Sequence, residues 1–257
     1  MLTSTASTTV ATTVAALVSR RSRFFLVMAV VLFLPVAVGF GPTFFLRPWS
    51  GARDPLGGPF PLHLIIHGSV LSAWFLLFVA QTWLVAAHRV DLHRRLGVIG
   101  IGLAVAVVVA SSVTIVRMVP RATITGAPEI VIQAVAVADT ASLVTFASFV
   151  AAAVYLRRRV AAHKRLMFLA ANFIVGPAFA TARPIGRALA HWVGGDAGSP
   201  IFMLACIGAL VVYDVTTRKR IHPATLVGIA MFFLNFVVLV SLVFASHVGA
   251  AFVEWLR

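Results

Sequence analysis

The sequence is poor in cysteine, in acidic residues and in charge altogether. Of its 257 residues 11% are charged and 61% are hydrophobic, whereas soluble domains have about 25% charged residues. The single cysteine, Cys206, excludes a disulfide within the chain, a Cys-x-x-Cys redox motif, covalent haem attachment and a cysteine zinc site. This composition is that of an integral membrane protein.

The few charges are mostly positive. Seven acidic residues stand against 21 Lys and Arg, which gives a net charge of +14. In a soluble protein this excess would indicate nucleic acid, but here the basic residues form short clusters between apolar runs, so no nucleic-acid partner is expected. The expected partners are membrane lipids, with anionic headgroups on the cytoplasmic side. Arginine far outnumbers lysine, which we interpret as the coding bias of a GC-rich bacterial genome.

Seven apolar runs are each long enough to cross a hydrocarbon core of about 30 Å. We therefore expect an all-α polytopic bundle of seven transmembrane helices. It forms one domain over 24–257, preceded by a disordered, basic cytoplasmic tail over 1–23. The predicted spans are 24–45, 62–87, 97–118, 129–156, 166–186, 200–216 and 224–250.

The distribution of Lys and Arg orients this bundle. Fourteen of them lie before the first span or in the connections 2–3, 4–5 and 6–7, and seven lie on the opposite side. Basic residues concentrate in cytoplasmic connections. We therefore expect a protein of the bacterial inner membrane, with its N-terminus on the cytoplasmic side and its C-terminus on the outer side.

Three basic connections share a histidine at the start of the following helix, namely His93, His163 and His222. We interpret spans 2–3, 4–5 and 6–7 as three related helical hairpins, with helix 1 added. Each histidine could accept a first-turn N–H while its basic neighbours bind lipid phosphate. Alternatively, the three imidazoles converge on a metal ion. The chain has no His-Glu-x-x-His motif and the sequence identifies no catalytic residue, so an enzyme with a three-histidine metal site ranks third among the functional hypotheses, behind the two given below.

A polar and aromatic stripe runs down the second span. His67, Trp74, Gln81 and His88 recur every seven residues, and His63 lies one turn before His67. Lipid cannot satisfy such side chains, so this face is expected to contact protein or a water-filled cavity.

Histidines from different helices hold haem b in membrane bundles. Of the eight histidines, His67 and His247 are the candidate ligands, because both lie near the outer ends of their spans. Arg117 or Arg183 would bind a haem propionate or a quinone headgroup. The first functional hypothesis is therefore electron transfer or oxidase maturation with haem b or a quinone and a respiratory partner. The alternative is that these histidines bond to backbone or headgroups at the interface.

Asp139 is the one carboxylate well inside a predicted span. A charge there costs roughly 3 kcal/mol or more, so we expect Asp139 to be neutral or paired with Arg117 or Arg183. The second functional hypothesis is a transporter, or a protein that binds lipid or another small molecule, with a polar intramembrane pocket. Hydrogen bonding between helices is the alternative. A further carboxylate, Asp214, is expected to pair with Arg218 at i,i+4. The pocket residues are His63, Trp74, Gln81, Asp139 and Asn172.

Four short motifs lie between residues 60 and 230. They are His67-Gly68 with Trp74 and Gln81, His93-Arg94-Arg95-Leu96-Gly97, His163-Lys164-Arg165-Leu166-Met167, and His222-Pro223-Ala224-Thr225. Together they resemble a family of bacterial multi-span membrane proteins of unknown function, which implies an inner-membrane bundle. The arrangement of histidines is also loosely similar to transmembrane b-type cytochromes and to small membrane factors of cytochrome oxidase assembly.

Overall fold

Helices make up nearly all of the chain that is described. The residues described by the computed structural model are 23–51, 56, 59–180, 183–193 and 197–257. The predicted tail over 1–23 lies outside these ranges except for Arg23, which begins the first helix. The helices are α1 Arg23–Phe45, α2 Arg47–Ser50, α3 Leu62–Ala86, α4 Val90–Ile124, α5 Glu129–Tyr155, α6 Val160–Phe173, α7 Pro184–Val193, α8 Gly198–Arg218, α9 Pro223–Phe244 and α10 Val248–Leu256.

Six of the described helices are long and apolar enough to cross a membrane, namely α1, α3, α4, α5, α8 and α9. They coincide with six of the seven predicted spans, so the prediction of an all-helical multi-pass protein is confirmed. The longest, α4, has 35 residues. At 1.5 Å per residue it extends about 52 Å, well beyond a hydrocarbon core of about 30 Å.

The fifth predicted span, 166–186, is not one continuous helix. α6 ends at Phe173, a short 3₁₀ helix follows at Gly176–Phe179, and α7 begins at Pro184. Pro177 has no backbone N–H and its ring clashes with a preceding turn, so an α-helix cannot run through this position undisturbed.

This broken segment nevertheless runs beside α1 along its length. Near the start of α1, the Lys164 ammonium lies 4.7 Å from the ring centre of Phe25. Near the end of α1, Arg183 donates from Nη1 to the hydroxyl of Thr43 at 2.5 Å. The segment therefore extends from the end of the bundle where α1 begins to the opposite end.

The last predicted span, 224–250, is also interrupted. α9 ends at Phe244, and α10 folds back to contact α9, α5 and α4. The hydroxyl of Ser246 accepts the backbone N–H of Val248 at 3.3 Å and so stabilises the turn between the two helices. Gly249 allows the close return, because a Cβ there would lie 2.6 Å from a carbonyl oxygen of α9.

The helices pair as the three predicted hairpins, with α5 at the centre. α3 packs on α4, α5 on α6 and α8 on α9, and α5 also contacts α4, α9 and α10. Trp74 of α3 meets Phe146 of α5 edge to face, with ring centres 5.0 Å apart. The start of α1 and the connections α3–α4, α5–α6 and α8–α9 lie together at one end of the bundle, which we call the basic end.

Candidate functional site

A buried ion pair lies at the basic end. Arg165 of α6 and Asp214 of α8 are 1% and 0% exposed. Arg165 donates from Nε and Nη2 to Asp214 Oδ1, with Nε at 2.9 Å. Oδ2 accepts the backbone N–H of His222 at 2.9 Å and the hydroxyl of Thr225 at 2.6 Å. The predicted pairing of Asp214 with Arg218 is therefore wrong, because four donors already occupy the carboxylate and Arg218 is exposed.

Gln81 joins α3 to the first turns of α4 at the same end. In the amide orientation that satisfies all its neighbours, its oxygen accepts the backbone N–H of Gly97 at 3.1 Å. Its nitrogen donates to the carbonyl of His93 at 3.2 Å and to His93 Nδ1. The His93 ring meets the His163 ring edge to face at 6.3 Å, and His163 Nδ1 bonds to the carbonyl of Ala153 at 2.9 Å. The histidine motifs thus hold helix ends together.

His222, the third histidine of the predicted metal set, is directed at its own helix. Its Nδ1 accepts the backbone N–H of Ala224 at 3.0 Å and so caps α9. Burial, followed by the positive charges of Arg165 and Arg218, lowers the pKa of His222 below its usual value. Within the described part of the chain, no group of three or more His, Cys, Asp or Glu side chains is arranged to hold a metal ion.

The residues predicted to hold haem lie apart in this fold. His67 Nδ1 lies 3.4 Å from the hydroxyl of Ser111 in α4, whereas His247 is exposed in the turn before α10. Arg117 is exposed on α4, and Arg183 bonds to α1. Among the described residues, no hydrogen bond or ring contact joins any two of these four side chains, and the haem hypothesis stays a prediction.

The predicted pocket residues occupy separate helix interfaces. Trp74 is 2% exposed and packs on α5, and Asn172 is fully buried and donates to a carbonyl of α8 at 3.2 Å. Gln81 lies at the basic end, and His63 lies at the opposite end of α3. Asp139 is half-buried in α5, and within the described chain it has no hydrogen bond or ion pair, so neither predicted arginine pairs with it.

The structure contains a groove that the sequence did not indicate. It lies between α5, α6 and α9 and has a volume of about 770 Å³, within the range of small-molecule sites. Exposed Ser148 on α5 and Val227 on α9 mark where it opens at the surface of the bundle. Its apolar lining includes Phe149, Ala152, Leu156, Leu166, Val227 and Met231.

Among the described lining residues, charged and ionisable side chains lie only at the basic end of the groove. Arg159 and His222 line it at the basic end, and Thr145 lines the far end, where the Asn235 amide donates to its hydroxyl at 3.1 Å. From Thr145 to Leu156, α5 rises about 16 Å, close to half of a hydrocarbon core of about 30 Å. The groove therefore has the depth of one lipid leaflet.

Small residues on three helices create this space. Ala152 of α5, Ala161 of α6 and Ala224 of α9 all line the groove. Gly228 lets α9 approach α6, because a Cβ there would lie 2.6 Å from a methyl carbon of Leu169. The alanines are visible in the sequence, but their convergence depends on which helices are neighbours.

No protein-family model matches this chain, and neither does any curated protein or any solved structure. The resemblance to a family of bacterial inner-membrane proteins stays a prediction. The groove and the basic end are the features of this fold that bear on its function.

Proposed function

We propose that this chain is a multi-pass protein of the bacterial inner membrane that binds a lipid or lipid-like molecule in the groove between α5, α6 and α9. The observation that supports this proposal is the groove itself, which is one leaflet deep, apolar along its walls and polar at the basic end. An amphiphile has the same distribution of apolar and polar parts. A transporter and a protein that only binds its ligand share this first step.

Seven crossings with the N-terminus inside form part of the proposal. Six continuous helices alone would leave both termini on one side of the membrane. The broken segment from α6 to Arg183 supports a seventh crossing, since it lies beside α1 from the basic end to the opposite end. The excess of Lys and Arg supports a cytoplasmic position for the basic end. The polar end of the groove then faces the cytoplasmic leaflet.

Filling the groove tests this function. Ala152 is half-buried and lines the groove, whereas Ala151 is exposed on the same helix and does not line it. Native mass spectrometry of protein purified in a mild detergent is expected to find one retained phospholipid on the wild type and on Ala151→Trp. Ala152→Trp is expected to lose that lipid while keeping its helical circular dichroism. Equal lipid retention by the two tryptophan variants would contradict the proposal.

A second function, electron transfer with haem b, is favoured by one observation. Ser111 holds His67 through Nδ1, and such an outer contact commonly orients an imidazole that ligates through its other nitrogen. Protein expressed with haem supplied would then show a b-type band in its reduced-minus-oxidised spectrum, and His67→Ala would abolish the band. A spectrum without this band from folded wild-type protein would contradict the haem hypothesis.

A further inference from the structure

The basic end of the groove presents hydrogen-bond donors. Arg159 is exposed there and supplies a guanidinium group. His222 uses Nδ1 as an acceptor for the N–H of Ala224, so its neutral ring carries hydrogen on Nε2 and can donate from that atom. Asp214, which accepts the backbone N–H of His222, is fully buried with both oxygens bonded. It is therefore not available to a ligand.

The charged residues that directly precede Arg159 and His222 in the sequence are all basic. Arg157 and Arg158 precede Arg159, and Lys219 and Arg220 precede His222. Among the described side chains that line the groove, none is acidic. A ligand with a cationic headgroup would therefore find no carboxylate to bond with, whereas an anionic headgroup would meet a guanidinium and an imidazole N–H.

We propose that the ligand of the groove is an anionic phospholipid of the adjacent leaflet. Its phosphate accepts hydrogen bonds from Arg159 and from His222 Nε2, and one of its acyl chains extends along the groove toward Thr145. This inference rests on the proposed function and names the class of its ligand. Charge-assisted bonds from a guanidinium to phosphate oxygens are stronger than neutral hydrogen bonds, so the headgroup provides selectivity. Because an apolar groove adjoins the proposed phosphate site, we expect the phosphate to belong to a lipid and not to a free ion.

Competition between two lipids with identical chains tests the headgroup. Full-length protein in a neutral detergent would be mixed with phosphatidylglycerol and phosphatidylcholine, and native mass spectrometry would count each bound lipid. Both lipids carry a phosphate, but phosphatidylcholine adds a quaternary ammonium that Arg159 and its basic neighbours repel. The wild type is therefore expected to prefer phosphatidylglycerol about fivefold, the ratio that an exposed charge interaction of about 1 kcal/mol produces. Arg159→Gln is expected to abolish this preference, because it weakens the binding of phosphatidylglycerol more than that of phosphatidylcholine. The matched control is Arg158→Gln, because Arg158 is exposed one residue away and does not line the groove.

The outcomes separate this inference from the proposed function. Two outcomes would overturn the inference while leaving lipid binding intact. In the first, the wild type binds both lipids without preference. In the second, the preference persists in Arg159→Gln. Lipid binding that Ala152→Trp does not reduce would overturn the proposed function as well. In a third arm, inorganic phosphate at millimolar concentration should neither displace phosphatidylglycerol nor raise the melting temperature. If phosphate alone did both, the assignment to a lipid would be wrong.

Discussion

Arg165 of α6 and Asp214 of α8 form an ion pair that is excluded from solvent. The same carboxylate bonds to Thr225 and to the backbone of His222 at the start of α9. Since α6 and α9 form two walls of the groove, this pair fixes the distance between them at the basic end. The lipid selectivity that we propose for Arg159 and His222 would depend on that fixed geometry.

Removing the carboxylate should therefore destabilise the whole bundle. Asp214→Ala leaves the Arg165 guanidinium buried without a counter-ion, which costs about 3–5 kcal/mol in the free energy of unfolding. The measurement is denaturant unfolding in detergent, followed by circular dichroism. Arg218→Gln is the control, because Arg218 is exposed and its replacement should change the stability by less than about 0.5 kcal/mol. A loss for Arg218→Gln as large as that for Asp214→Ala would instead favour the i,i+4 pair.

Stability should depend on pH through His222. Its pKa in the folded protein is lowered, by burial first and then by Arg165 and Arg218, whereas an unfolded histidine has a pKa of about 6.5. The unfolded chain therefore binds this proton more tightly. The contribution of His222 to stability is present above about pH 6.5 and is lost as the pH falls below it. Protonation also removes the Nδ1 acceptor that caps α9.

The variant His222→Ser keeps a helix-capping side chain but removes the ionisable group. Ser can accept the N–H of Ala224 but does not ionise, so His222→Ser should reduce the loss of melting temperature between about pH 7 and pH 5. His88→Asn, in the exposed turn after α3, should leave that loss unchanged. A pH profile that is the same for wild type and His222→Ser would show that other groups cause the dependence.

The membrane spans could be predicted because hydropathy is a local property of the sequence. The six continuous helices follow from runs of apolar residues that need no knowledge of their neighbours. The interruption of 166–186 also has a local cause, since Gly176 and Pro177 disfavour a continuous α-helix. The return of α10 depends on Ser246 and Gly249, whose effect appears only when α9 is there to pack against.

The site could not be predicted in the same way, since its members come from three helices. Asp214 has a plausible partner one turn away in Arg218, yet its actual partner, Arg165, is 49 residues distant. In the sequence Arg159 is one of three consecutive arginines, and its place at the groove depends on the packing of α5, α6 and α9. The histidine motifs did carry information, because His93, His163 and His222 all bond at helix ends.

The seventh crossing predicts opposite accessibility for two positions. In a Cys206→Ala background, Arg158→Cys lies in the α5–α6 connection and Trp192→Cys lies near the end of α7, where Trp192 is 82% exposed. A membrane-impermeant maleimide should label Trp192→Cys in intact spheroplasts and Arg158→Cys only after permeabilisation. His88→Cys should behave like Arg158→Cys. Labelling of Arg158→Cys and Trp192→Cys from the same side would exclude a crossing between α5 and α8.

The central claim is that a lipid chain occupies the groove between α5, α6 and α9. It is tested most directly by photo-crosslinking in nanodiscs with phosphatidylglycerol that carries a diazirine near the end of its acyl chain, followed by mapping of the labelled peptides. We expect labels concentrated at the far end of the groove, around Thr145 and Met231, and their loss in Ala152→Trp. Labels spread evenly over the exposed faces of α3, α4 and α9, and unchanged in Ala152→Trp, would contradict it.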